Sequence, residues 1–224
     1  MCAIFGSFDT SMFEVLYEAN KQRGNFASSI ISLSPDDQFI RKKKGDINFD
    51  KYTYEPQTDY YLGHVQAPTS ANRKWSYDTS HPFESMSWLV SHNGVLTNHK
   101  KLKKQYCSFI ENPVDTAVIV NLLEHFTQKV QVDEKRVVPQ KIIKKTLELL
   151  TGTFALSIVH CDSNEVFIAR SGSILHYNNK GDYSTMGGHG FKELPEGTLM
   201  KLNNKTKRWN KAGKFTFNSP FSFV

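Results

Sequence analysis

What this chain lacks removes several classes of protein before any motif is read. No apolar run approaches the roughly 18 residues that a membrane-crossing helix needs. The N-terminus has no basic segment followed by an apolar one, as a secretory leader would. Cysteine is scarce: Cys2, Cys107 and Cys161 form an odd set that argues against a disulfide framework and for a reducing compartment, the cytoplasm. No His and Cys spacing suggests a metal site, and no cofactor is expected. Gly187-Gly188-His189-Gly190 is glycine-rich but lacks the Lys and Ser/Thr of a phosphate-binding loop. Acidic residues are fewer than basic ones, 22 against 28, for a net charge of +6. The lysines gather at Arg41–Lys44, Lys100–Lys104 and Lys141–Lys145. A nucleic-acid surface is one reading of these runs, and solvated faces are the other. No interleaved aromatics or nucleic-acid motif accompany them, so neither nucleic acid nor membrane is expected as a partner, although the charge suits an acidic protein subunit.

What is present is an ordinary globular chain. Its 224 residues are 39% hydrophobic and 22% charged, enough to bury a core without staples. Strands are expected over Cys2–Phe8, Ser28–Leu33, Phe39–Lys43, Tyr60–Ala67 and Ser87–His92, the last ending at an Asn93-Gly94 turn. A helix over Ser11–Lys21 opens with a capping box from Ser11 to Glu14. Further helices start at His99, capped by Asn98, at Asp115 and at Pro139, the last stopped by Gly152. Phe154–His160 and Glu165–Arg170 read as a hairpin, with short strands near Ser173–Tyr177, Tyr183–Met186 and Leu199–Leu202. The order of strands, helices and strands predicts an α+β fold of sheets packed face to face with helices outside. A single domain over residues 1–224 is expected, with a looser tail from about residue 203.

Cys2 stands directly behind the initiator methionine. Removal of Met1 would leave a thiol and a free α-amine on one residue. The amine titrates near pH 8 and the thiol near about 8.5, so the amine can take the thiol proton and leave a nucleophilic thiolate. A second-position cysteine is also a common incidental residue, so its meaning depends on the rest of the chain. Four segments supply that context: Met1-Cys2-Ala3-Ile4-Phe5-Gly6; Gln22-Arg23-Gly24; a third from Gly63-His64-Val65-Gln66-Ala67-Pro68-Thr69 through His81-Pro82-Phe83 to His92-Asn93-Gly94-Val95-Leu96-Thr97-Asn98; and Asp115-Thr116-Ala117-Val118-Ile119.

In this order and spacing the segments resemble the class II glutamine amidotransferase domain, an N-terminal-nucleophile glutaminase module. Its pattern runs C-G-I-x-G, R-G, G-H-x-R-x-x-T, H-N-G-x-x-x-N and S-D-x-E-x-I. The resemblance extends from Cys2 to about Leu202, where Leu194-Pro195-Glu196-Gly197 is similar to a closing L-x-P-G, with its proline one position earlier. It implies a four-layer αββα sandwich of two mainly antiparallel sheets. Cys2 would attack the side-chain amide of L-glutamine, form a γ-glutamyl thioester and release ammonia. Asn93 and Gly94 would donate to the oxyanion, and Asp115 would bind the substrate α-ammonium. Thr69 falls near the substrate carboxylate, and Arg23 in a segment near the active site. An ordinary hairpin turn would account for Asn93-Gly94, and an N-terminal helix position for Asp115, so these roles rest on the resemblance.

Two positions depart from the pattern. Gln66 stands where the family has the arginine that grips the substrate carboxylate, and an amide supplies neither a fixed charge nor a guanidinium fork. Arg73 is the candidate to compensate. Ala117 replaces the family glutamate. Since no synthase domain fits after residue 202, a separate synthase subunit is expected to receive the ammonia. Gln66 keeps open an amidohydrolase acting on another γ-glutamyl or amide substrate. A degenerate, non-catalytic binding domain is the third reading.

Overall fold

The computed structural model describes residues 1–35, 37–68, 74–133 and 136–217. One sheet joins β1 (Ala3–Ser7), β2 (Ala27–Leu33), β3 (Gln38–Lys44), β4 (Tyr60–Gln66), β9 (His176–Tyr177), β10 (Tyr183–Ser184) and β11 (Lys192–Glu193) in the order β11-β9-β10-β1-β4-β2-β3. The other joins β5 (Phe83–Glu84), β6 (Trp88–Leu96), β7 (Gly152–His160), β8 (Glu165–Ser171), β12 (Thr198–Asn203) and β13 (Arg208–Lys214) in the order β13-β12-β8-β7-β6-β5. Every pairing between these strands is antiparallel. Helix α1 (Thr10–Lys21) lies on the first sheet; α2 (His99–Tyr106), α3 (Asp115–Val132) and α4 (Pro139–Leu147) lie on the second.

Three apolar layers follow from strand alternation, which sends successive side chains to opposite faces. On β1, Ala3 and Phe5 pack with Phe13, Leu16 and Tyr17 of α1. Ile4 points the other way, into a layer between the sheets with Leu62, Leu89, Ala155 and Ile168. On β6, Trp88 and Val90 face α3 and α4, where Ile119, Leu122, Leu123, Ile143 and Leu147 are buried, while Leu89 faces the first sheet. The result is the αββα sandwich, with helices as outer layers and the sheets as inner ones.

Several local expectations change. The cap of α1 is Asp9, whose carboxylate accepts the Met12 N–H at 2.8 Å, so the helix starts one residue before Ser11. Asn98 makes no capping bond. It donates instead to Leu149 O and accepts from Thr151 N, tying the start of α2 to the entry of β7. Asn93-Gly94 is not a turn: β6 runs through it to Leu96, with Asn93 opposite Ala155 and Gly94 opposite Phe154. The looser tail expected from about residue 203 does not hold over Arg208–Lys214, which pairs with β12 and buries Trp209 against Tyr183.

Phe5 keys the α1 side of the first sheet. Its ring is fully buried, lies 5.3 Å from Phe13 and fills the space beside Gly63, where a Cβ would come within 2.2 Å of it. Phe5→Ala is expected to cost about 3–5 kcal/mol in chemical denaturation. A loss below about 1 kcal/mol would show that this layer closes up around the gap.

Candidate active site

Cys2 precedes β1, and continuing the alternation of Ala3, Ile4 and Phe5 puts it on the face of Ile4, toward the second sheet. It is half-buried and is not part of a disulfide. Arg23, just beyond α1, wraps this end of the chain. Its Nε donates to Cys2 O at 3.0 Å, its carbonyl accepts from the Met1 ammonium at 3.0 Å, and its guanidinium reaches the sulfurs of Met1 and Met186. Gly24 is required by the close approach of the end of β4: a Cβ there would lie 2.4 Å from Gln66 C and Ala67 N. The first sheet pairs Ala3 with Val65, which sets Cys2 next to the end of β4. Gln66, buried there, shares the inter-sheet face with His64 and donates over a long 3.5 Å to Thr79 O.

From the opposite sheet, alternation along β6 turns His92 and Gly94 toward α3 and Asn93 toward the first sheet. Asn93 is 6% exposed, and its side-chain amide bonds to no described residue. Gly94 has φ 155° and lies so close to β7 that a Cβ would be 2.1 Å from Thr153 O, so the Asn-Gly pair is a place of close backbone approach.

Behind Asn93 lies a buried polar network. The Thr116 hydroxyl is 3.0 Å from His81 Nε2, 3.1 Å from His92 Nδ1 and 3.4 Å from Asp115 Oδ1. His64 Nε2 is 3.2 Å from His92 O, and the His64 and His81 rings stack at 3.9 Å. Hydrogen-bond accounting assigns the protons. A carbonyl only accepts, so His64 Nε2 carries a hydrogen. A carboxylate only accepts, so in its contact with Asp115 the Thr116 hydroxyl donates, which leaves its oxygen open to accept from the imidazole nitrogens that face it. Asp115 uses its other oxygen to accept the Leu96 N–H at 2.9 Å. Burial of Asp115 would raise its pKa, but the hydrogen bond and charge of His92 and the Leu96 N–H outweigh burial and bring it down to about 2.

Of the residues singled out from sequence, Cys2, Arg23, Gln66, Asn93, Gly94 and Asp115 therefore gather at one end of the sandwich, where β1, β4, β6, α1 and α3 begin or end. Thr69 and Arg73 lie outside the described residues. Sequence reasoning missed Thr116. A threonine in the first turn of a helix gives no signal of three side chains converging on it from other segments. Among the described residues no cluster of His, Cys, Asp and Glu could hold a metal ion, and no helix is long and apolar enough to cross a membrane.

Comparison with known proteins gives this arrangement a family. Residues 77–182 match the profile of a family described as a glutamine amidotransferase domain. The chain carries a class II glutamine amidotransferase domain. It is 30% identical over 188 residues to glutamine–fructose-6-phosphate aminotransferase (isomerizing) of Listeria innocua, covering 78% of this chain and 30% of that protein. The Staphylococcus epidermidis enzyme of the same name is 28% identical over 185 residues, with the same coverage. The chain thus spans about a third of the length of these relatives. Among solved structures, glutamine phosphoribosylpyrophosphate amidotransferase from B. subtilis, complexed with ADP and GMP, superposes with a TM-score of 0.75 at 18% identity. That match covers 97% of this chain and 50% of that one. A predicted glutamine amidotransferase from Pseudomonas aeruginosa matches with a TM-score of 0.52 at 11% identity, over 95% of both chains. At these identities the structures show a shared fold.

The Asp115 contacts give the domain an acid-sensitive element. A carboxyl whose pKa falls on folding binds its proton more weakly in the folded state. Its stabilisation is complete above the unfolded value, near 4, and is lost as the pH falls to about 2. Asp115→Asn is expected to lower stability at pH 7 by about 2 kcal/mol, with the difference shrinking toward zero near pH 2 in urea titrations. A pH-independent difference would assign the effect to packing.

Proposed function

We propose that this domain is a glutaminase with Cys2 as its nucleophile. After Met1 is removed, the α-amine of Cys2 takes the thiol proton. The thiolate adds to the side-chain amide carbon of L-glutamine, the C–N bond breaks, and the nitrogen leaves as ammonia with the proton returned by the α-ammonium. Water then hydrolyses the γ-glutamyl thioester to glutamate and restores the thiol. The other two thiols suit this task poorly. Burial pushes Cys107 up to about 11, and burial with nearby carboxylates pushes Cys161 up to about 12, so both stay protonated at neutral pH.

The observation that carries this reading is the unbonded amide of Asn93, turned toward the gap that Cys2 faces from the other sheet. A side-chain amide that no protein group uses keeps its two N–H donors open to a ligand. Its Nδ2 and the Gly94 N–H are the proposed donors to the tetrahedral oxyanion, where losing one donor costs about a hundred- to a thousandfold in rate. Asp115, charged at any working pH, is the proposed anchor for the glutamine α-ammonium. Arg23 holds the backbone of Cys2, and Gln66, with Thr69 and Arg73, takes the carboxylate end. The relatives are named as transferases of amino or amido groups from glutamine, and this chain spans a third of their length. From the names of these relatives we assign the released ammonia to a synthase that consumes it, read residues 1–224 as one domain, and place it in the cytoplasm, where thiols stay reduced.

Mass spectrometry is expected to show a chain lacking Met1 and one equivalent of a thiol-reactive glutamine analogue on Cys2, with glutamate release abolished in Cys2→Ala. Activity persisting in Cys2→Ala would end this reading. Gln66→Arg is expected to lower the KM for glutamine about ten- to a hundredfold with little change in kcat, since it adds a charge-assisted bond made equally to substrate and transition state. An unchanged KM would mean that another group already supplies that charge.

A further inference from the structure

The basic run Arg41–Lys44 takes no part in this chemistry, and the structure divides it. Lys42 turns inward, 3% exposed, with Nζ 2.8 Å from Glu84 Oε1 and 4.0 Å above the Tyr77 ring. It thereby joins β3, the edge of one sheet, to β5, the edge of the other. Arg41 pairs with Glu55 and covers the Tyr52 ring. The side chains of Lys43, Lys44 and Lys51 form no ion pair or hydrogen bond among the described residues.

A cleft of about 490 Å³ opens along this edge. Ile40 and Lys42, from one face of β3, and Arg41 and Lys43, from the other, all line it. A body that meets both faces of an edge strand lies in the plane of the sheet. There the outward N–H and C=O groups of β3 are unpaired, because β3 is the last strand in its sheet. An extended chain fits this geometry: its backbone pairs with β3 and its side chains alternate between the two faces. The cationic side chains select its charge. A second copy of β3 would bring lysines against lysines, which edge strands use to refuse self-pairing, whereas an acidic strand turns the same charges to attraction. Base stacking is less suited, since Tyr52 and Tyr77 are already engaged by the chain's own Arg41 and Lys42.

We propose that β3 is the docking edge for an extended acidic segment of a partner protein, which adds to the seven-stranded sheet as an eighth strand. This surface is independent of the glutaminase reading.

The test titrates the full chain with a fluorescein-labelled peptide alternating Glu and Val, and with the same peptide carrying proline at every second position. Saturable binding is expected for the first peptide only, together with slowed hydrogen exchange of amides within residues 38–44. Affinity should fall at least about tenfold as salt rises to about 0.3 M, where the screening length drops below about 8 Å. Lys43→Glu with Lys51→Glu should weaken binding by a similar factor at an unchanged melting temperature; if that pair fails to fold, Lys43→Gln with Lys51→Gln replaces it. Four results would overturn the proposal: equal binding of the proline peptide, binding without protection of residues 38–44, no binding, or tighter binding of a single-stranded oligonucleotide that displaces the peptide.

Discussion

One hydroxyl proton organises the site end of this domain. Thr116 can donate once and accept twice, and it meets one carboxylate and two imidazoles within 3.4 Å. With its proton turned to the carboxylate, Thr116 has its oxygen free to accept from His81 and His92. The partners come from α3, from β6 and from the segment before β5, and His64 of β4 closes the set through His92 O. Such a buried network rewards full satisfaction and penalises any missing member. Its main consequence is on the other face of β6. Holding His92 against α3 fixes the pleat of the strand, and the pleat then requires Asn93 to face the gap between the sheets. The glycine that follows lets β6 lie against Thr153 without a Cβ in the way. The proposed oxyanion donor is thus aimed by contacts on the far side of its own strand.

Much of this was legible in the sequence. The runs read as β1, β2, β4 and β6 and the proline that opens α4 are local signals, and the structure keeps them. The order of short motifs from Cys2 to Asp115 pointed to the family. Features set by distant partners were not legible. Asn93-Gly94 has the composition of a turn, and only the approach of Thr153, some sixty residues later, makes it a strand. The β13 strand has few large apolar residues besides Trp209, and it forms because β12 offers a free edge. Asn98 reads as a cap until its amide finds Leu149 and Thr151. Thr116 is the extreme case, since its importance lies wholly in what surrounds it.

The same reasoning separates two kinds of charge in a basic chain. Lys42 is removed from solvent, and burial lowers its pKa while Glu84 pulls it back. It behaves as a strut between sheet edges. The side chains of Lys43 and Lys44, its neighbours in sequence, stand exposed with no ion-pair partner among the described residues. A run of four basic residues is therefore one structural tie, one stacked guanidinium and two free charges, a division that composition alone does not contain.

Sheet order also keeps docking and chemistry apart. From β1 the sheet continues through β4 and β2 to β3, three strand spacings or about 14 Å at the usual separation. A strand added outside β3 extends the sheet and leaves the gap between the sheets open at the Cys2 end. The two regions remain joined through one segment: Tyr77 packs on Lys42 at the edge, Thr79 accepts from Gln66, and His81 bonds to Thr116. Five residues therefore link the sheet edge to the floor of the site.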